Sequence, residues 1–246
     1  MALKVVGVIP ARLASTRLPR KVLRPILGKP MLHHVVDRAR ESKTLHDFVV
    51  ATDSDEVLAY CEENKIPVLM TSASHPSGTD RVWEVSTKIE ADVYVGIQAD
   101  EPLVTPDHLR LLVDPFLSKA GAQVTTLKTP MSRDEAQNPN RVKVVTDEEG
   151  RALYFSRAPI PFDRDATGAA RYFLHLGLYA YTRAALDRFH RFPLGALETI
   201  EPLEQLRFLE NGIPIHVMET PLRTIGVDTE EDLRAVEQVL RGRAVP

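Results

Sequence analysis

The chain has 246 residues, enough to bury a sizeable core as one large α/β domain or as a domain with a small excursion. Its composition, 43% hydrophobic and 26% charged, is that of an ordinary globular protein, and a net charge of −3 argues against a nucleic-acid partner, which shows as a basic excess. The single cysteine, Cys61, excludes an intrachain disulfide framework; with no apolar run near the roughly twenty residues of a membrane span and no signal-peptide pattern, no membrane contact and a cytoplasmic location are expected.

The first element is an apolar run at residues 5–9, short enough for a buried strand. It opens into a loop carrying Arg12, Ser15, Thr16, Arg17, Arg20 and Lys21 before Gly28-Lys29-Pro30. A strand emptying into a cationic, small-residue loop ahead of a helix is how α/β proteins build a polyphosphate site. No GxxxxGK[ST] is present, so the loop is not a Walker A motif; side-chain cations replace most of its glycines. A nucleoside triphosphate held by Arg and Lys, or a solvated basic loop, are the two readings this segment offers.

Downstream, Met31, Leu32, Val35, Val36 and Ala39 repeat at helical spacing, with Pro30 suited to a first helical position. Residues 48–52 read as a second strand, and Asp53-Ser54-Asp55 caps a helix containing Val57, Leu58 and a buried Cys61. Short strands at 68–70 and 93–97 flank a helix near 79–89. This βαβ alternation predicts a mostly parallel sheet with helices on both faces. The second half changes character. Strands at 142–145 and 151–155 flank Asp147-Glu148-Glu149-Gly150, a hairpin signal. Residues 163–170 form a small, polar, charged loop, 173–181 a strand, 201–210 a helix ending at Asn211-Gly212, 213–218 a strand, and 230–240 a closing amphipathic helix. The whole is read as one α/β domain over residues 1–246, with 130–200 an excursion from it.

Three constellations carry chemistry. Gln98-Ala99-Asp100-Glu101-Pro102 follows the fourth strand, at the end of a parallel sheet where ligands bind. Asp100 or Glu101 could hold Mg²⁺ against a triphosphate, or the segment could simply cap the helix at Pro106. In Gly226-Val227-Asp228-Thr229-Glu230-Glu231-Asp232, a capping box of Thr229 and Asp232 and the helix dipole account for every acid except Asp228. Ser77-Gly78-Thr79-Asp80-Arg81 opens a helix and offers either an anion site or ordinary capping. His33, His34 and Trp83 are given no function.

Together these motifs resemble the bacterial CMP-Kdo synthetases, the 3-deoxy-manno-octulosonate cytidylyltransferases, over about residues 5–240. The resemblance rests on IPARLASTRLPRK, GKPML, VATDSDEV, SGTDR, QADEP, NPNRVKVV, ALYFSRAPIP, HLGLYAY, LEQLRFLENG and GVDTEEDL. It implies a nucleotide-diphospho-sugar transferase-like fold, a homodimer, and the reaction of CTP with Kdo to CMP-Kdo and pyrophosphate for lipopolysaccharide biosynthesis, with Mg²⁺ required. By the same resemblance, Ala11, Arg12, Ser15, Arg17 and Lys21 bind the nucleotide, Ser77, Gly78, Arg81 and Gln98 frame the cytidine and the reacting centre, and Lys21 and Arg17 stabilise charge on the phosphates. Asp100 and Asp228 are the implied metal ligands. Gln98, Arg157, His175, Tyr179, Glu204 and Gln205 are the implied sugar contacts. The alternative is a cytidylyltransferase for another acid sugar, an amino-substituted Kdo or a nonulosonate. Two positions depart from the pattern: Arg20 and Ala99 stand where glycines are expected.

Overall fold

The opening apolar run is a strand, β1 (Val5–Ala11), buried at every position. The structure is a computed structural model that describes residues 3–13, 18–118, 121–165 and 167–242; Ser15, Thr16 and Arg17 of the basic loop lie outside the described residues. The backbone forms two compact units, residues 1–110 with 224–246 and residues 111–223.

In the first unit β1 is followed by β2 (Pro25–Ile26), β3 (Lys29–Pro30), α1 (Met31–Glu41), β4 (Asp47–Thr52), α2 (Asp55–Glu63), β5 (Val68–Met70), α3 (Gly78–Lys88) and β6 (Val93–Gly96). The next helix, α4 (Pro106–Ser118), contains the division between the units. β1 pairs in parallel with both β4 and β6, and β5 pairs in parallel with β4. Val6, Val8, Ile9, Val49, Val50, Val93 and Val95 are buried, as strands covered on both faces require. The predicted helical face of α1, Met31, Leu32, Val35, Val36 and Ala39, is buried too, while Pro30 sits one residue earlier than expected, at the N-cap. Ser54 caps α2 by accepting from Val57 N, and Cys61 lies buried in that helix, its thiol pushed up to about 11 by burial and the neighbouring Glu62 charge. Helix Glu230–Leu240 completes this unit. Its Leu233 and Val236, with Val227 ahead of it, pack on Leu18, Ile26 and Met31.

The second unit contains β7 (Val124–Met131), α5 (Arg133–Ala136), β8 (Lys143–Thr146), β9 (Ala152–Ser156), β10 (Tyr172–Thr182), α6 (Arg183–Arg191), α7 (Ala196–Ile200), α8 (Leu206–Glu210) and β11 (Ile215–Glu219). β7 lies antiparallel to β10 and parallel to β11, and β8 and β9 form the antiparallel hairpin expected around residues 147–150. Gly150 takes φ +77 in its turn, a value that suits glycine. β7 was not visible as a strand in the sequence because most of it is buried on both faces, which erases the alternation of period two.

One predicted element fails. The helix expected over 201–210 forms only from Leu206, as α8, while α7 ends earlier at Ile200 and residues 201–205 make a turn. Arg157 holds that turn, donating to the carbonyls of Glu201 and Pro202 at 2.8 and 3.3 Å, which a continuous helix would use for its own bonds. Leu203, Glu204 and Gln205 therefore lie in a turn ahead of α8.

Candidate active site

In the first unit, the carboxyl ends of three parallel strands, at Ala11, Thr52 and Gly96, lie along one edge, where open α/β sheets take ligands. The loop after β1 returns through buried Leu18 and Val22, which flank a left-handed residue, Arg20 (φ 56), and the short 3-10 turn Lys21–Leu23. Because Leu18 packs on Val227 and Leu233, Lys21 is carried to a segment more than two hundred residues away. Its Nζ donates to Asp100 Oδ2 at 2.6 Å and to Asp228 Oδ1 at 3.0 Å. Val227 N donates to the Asp100 carbonyl at 2.9 Å and locks the two acidic loops together. Burial alone would lower the Lys21 pKa, but the charges and hydrogen bonds of Asp100 and Asp228 outweigh it, so Lys21 is held protonated. Asp228 stands just before the helix Glu230–Leu240, whose capping box is made by Thr229 and Asp232 as the sequence predicts.

Behind the pair, burial first and the Asp100 charge second push the Glu101 carboxyl up to about 7, and its Oε2 is buried without a hydrogen-bond partner. A Cβ at Gly226 would lie 3.4 Å from Glu101 Oε1, an ordinary van der Waals contact. Among the described residues no group of three or more His, Cys, Asp and Glu side chains gathers as a metal cage. The donor set here is instead two carboxylates sharing one cation. That fits Mg²⁺, which takes one or two protein carboxylates and completes its shell with phosphate oxygens and water.

The remaining nucleotide-side residues fall into two groups. Arg12 reaches across to the loop before α3, donating to the carbonyls of His75 (2.7 Å) and Pro76 (3.3 Å). In that loop His75 Nε2 meets Glu84 Oε2 at 2.6 Å, and Glu84 also accepts from Ser72 N at 2.8 Å and from Lys88. Burial disfavours the Glu84 charge, yet the bonds from Lys88, Ser72 and His75 bring its pKa down to about 2. Ser77 is the N-cap of α3, and Gly78 leaves its nearest neighbours, Gln98 Oε1 and Pro10, 3.8 Å from where a Cβ would be. Arg81 is fully buried, with one terminal nitrogen on Asp53 and the other, at 2.6 Å, on Thr71 Oγ1, while its Nε has no hydrogen-bond partner. Arg20 turns its exposed charge onto Glu56, and it takes a left-handed φ that glycine adopts without steric cost. Ala99 is buried and adds only a methyl group.

In the second unit, β10 is bulged between Leu176 and Tyr179, and Thr126 Oγ1 fixes the bulge by bonding the carbonyls of Leu176 and Leu178 at 3.1 and 2.8 Å. Two extra residues preserve the parity of the strand, so His175 and Tyr179 share a face, with ring centroids 5.4 Å apart. Burial pushes the His175 imidazole down to about 3 and keeps it neutral, its Nε2 3.1 Å from Thr126 Oγ1. The Tyr179 phenol is held protonated, first by burial and then by Tyr181 and Glu204 nearby. Tyr179 Oη and Gln205 Nε2 are both buried without a hydrogen-bond partner of ordinary geometry, a cost that a polar ligand would relieve. Thr126 lies near enough to ease the Tyr179 phenol slightly, but its hydroxyl is already engaged by the bulge carbonyls. Arg157 donates to the carbonyls of Glu201 (2.8 Å), Pro139 (3.1 Å) and Pro202 (3.3 Å). Of the five guanidinium N–H groups, two remain for an anion. The sequence reading passed over Thr126, Glu84, Lys143 and Glu201. Only Lys143 carried a signal, as a lone charge within the apolar run Val142-Lys143-Val144-Val145.

The cytidylyltransferase family model matches residues 6–220. A 3-deoxy-manno-octulosonate cytidylyltransferase of Acidobacterium capsulatum is 58% identical over 98% of both chains, and that of Koribacter versatilis is 54% identical over 98% of this chain and 91% of its own. A solved CMP:2-keto-3-deoxy-manno-octonic acid synthetase complexed with CTP superposes with a TM-score of 0.93 at 41% identity, covering 97% of this chain and 99% of its own. A cytidylyltransferase from Leptospira borgpetersenii, 20% identical with a TM-score of 0.64 over 99% of this chain and 89% of its own, shares the mostly parallel α/β fold alone. On its motifs, its fold and these relatives, the chain belongs to the 3-deoxy-manno-octulosonate cytidylyltransferase family.

Proposed function

We propose that this protein transfers CMP from CTP to the anomeric hydroxyl of 3-deoxy-D-manno-octulosonate, releasing pyrophosphate, as a Mg²⁺-dependent cytoplasmic homodimer supplying lipopolysaccharide biosynthesis. The observation that carries the reading is the convergence of Lys21, Asp100 and Asp228 at the sheet edge, in a chain whose relatives bear the name of this activity. Substitution at the α-phosphorus forms a bond from the anomeric oxygen and breaks the bond to the β-phosphate bridge. Charge therefore accumulates on the α-phosphoryl oxygens and on departing pyrophosphate. Lys21, kept protonated by its two carboxylates, stabilises that charge, and Arg12 and Arg17 add cations on the same loop. Mg²⁺, held by Asp100 and Asp228 when bound, supplies further neutralisation of the phosphates and makes the attacking hydroxyl more acidic. Ser77, Gly78 and Gln98 frame the base. On the sugar side, Arg157 offers its remaining N–H groups to the Kdo carboxylate, and Tyr179 and Gln205 bring buried polar atoms that gain partners from sugar hydroxyls. Neutral His175 orients without adding charge. No membrane partner is needed, and no helix among the described residues is long and apolar enough to cross one. The test is pyrophosphate release across a panel of acid sugars, Kdo, its amino-substituted form and a nonulosonate, with each nucleoside triphosphate. Turnover confined to Kdo and CTP is expected. Preference for another sugar would reassign the acceptor, and no sugar-dependent release would overturn the reading.

A further inference from the structure

Lys143, in β8, is fully buried, yet no carboxylate bonds its ammonium. Nζ donates to the carbonyl of Arg157 at 2.5 Å and to that of Asn138 at 3.1 Å. Burial lowers its pKa, the Glu201 charge opposes that, and the Arg157 charge adds to it. Burying an ammonium costs several kcal/mol even after relaxation, and an apolar side chain of similar volume often does as well or better for stability. The cation therefore needs a reason other than stability, and its neighbours supply one. The backbone it grips belongs to Arg157, whose guanidinium clasps Pro139, Glu201 and Pro202. Glu201 answers with its side chain: Oε1 accepts from Ser156 Oγ at 2.5 Å and Oε2 from Arg157 N at 2.8 Å. Four segments meet in this knot: β8, the end of β9, the Asn138-Pro139 loop and the Glu201-Pro202 turn. The turn is the one that takes the place of the first half of the predicted helix, and it leads directly into Glu204 and Gln205. Gln205 is buried with its Nε2 unpaired, so a small displacement of the turn decides whether that group meets a ligand or stays orphaned.

We propose that Lys143 and Glu201 are positioning residues for the acid-sugar pocket, fixing through Arg157 the turn that presents Glu204 and Gln205. The inference rests on the proposed function and extends it to groups that need not touch the sugar. It also explains how Arg157 can hold both a scaffold and a carboxylate: its fork is pre-set by carbonyls before any anion arrives.

The test uses the full chain with Lys143→Met and Glu201→Gln, both close in volume to the native residues. Steady-state pyrophosphate release is measured with CTP and Kdo varied separately, and amide hydrogen exchange is followed in the substrate-free protein. A KM for Kdo raised by about tenfold or more is expected, with KM for CTP held within about twofold, and faster exchange over residues 201–206 in both variants. A general loss of fold would move both KM values and the melting temperature together, which this pattern would not. Equal changes in both KM values, or an unchanged Kdo KM with normal exchange, overturns the inference. If Lys143→Met does not fold, Glu201→Gln decides the matter by the same criteria. Failure of the native protein to release pyrophosphate with any acid sugar would refute the functional reading instead. Exchange over 201–206 would then still judge the knot, and unaltered protection in the variants would refute it.

Discussion

Replacing Lys21 by Met removes the one cation that Asp100 and Asp228 share while keeping the length of the side chain. The Lys21 side chain is 13% exposed, and those of Asp100 and Asp228 are 32% and 47% exposed. Leaving a fully buried charge unpaired costs about 3–5 kcal/mol, whereas exposed pairs are worth about 1 kcal/mol or less. Partial solvation of both acids places the expected loss between these limits, at about 1–3 kcal/mol. At roughly 2–4 °C per kcal/mol for a domain of this size, the melting temperature in EDTA should fall by about 2–12 °C. The sign with pH is also set. Lys21 has its pKa raised above the ordinary 10.5, so its contribution is complete below that value and is lost only as pH climbs past the raised pKa. Glu101, at about 7 and held down by the Lys21 charge, loses that support as well, so the deficit should grow as pH rises through about 7. Excess Mg²⁺ should restore much of the lost stability, because a divalent cation satisfies the same carboxylates. It should not restore turnover, since the charge on the phosphates is still missing; kcat/KM is expected to drop by about 10²–10³, with partial recovery in Lys21→Arg. Differential scanning fluorimetry with and without MgCl₂, paired with pyrophosphate release, measures both. An unchanged melting temperature in EDTA together with near-native kcat/KM would refute the argument.

Asp100→Asn and Asp228→Asn should each abolish most turnover, by several kcal/mol of transition-state stabilisation, while circular dichroism stays native; near-normal kcat at saturating Mg²⁺ in either variant removes the metal assignment. Arg20→Gly relieves a left-handed backbone at the expense of an exposed pair with Glu56, so stability should change by less than about 1 kcal/mol. The KM for CTP should keep its native value and salt dependence, and a weakened, less salt-sensitive KM would place Arg20 on the triphosphate. Glu84→Gln should destabilise by about 1–3 kcal/mol at neutral pH, since a carboxyl shifted from 4.5 to about 2 carries at most about 3.4 kcal/mol. A depressed acid contributes fully above its unfolded pKa, so the gap between variant and native melting temperatures should narrow below about pH 4.5; a gap that is constant from about pH 7 to about pH 4 contradicts the Glu84 clasp.

Much of this protein is legible residue by residue. The buried run of β1, the face of α1, the Ser54 cap, the Asp147–Gly150 hairpin and the Thr229–Asp232 capping box are local, each set by hydrophobic period or by a side chain serving a backbone a few residues away. Such interactions span one turn of helix or one pleat, so their spacing is written in the chain. The motifs likewise named the family and the acids at 100 and 228. What spacing could not contain was the meeting of Lys21 with Asp228, which depends on Leu18 packing against Val227 and Leu233 from the far end of the chain. Nor could it say that Arg81 bonds Asp53 and Thr71, or that Arg157 clasps three carbonyls. The helix shortened to residues 206–210 follows the same logic: local propensity favoured helix from 201, and the fold instead holds residues 201–202 in a turn bound through Arg157 and Glu201. A charged side chain chooses its partner only when packing has set which groups lose water together, and that choice belongs to the tertiary structure.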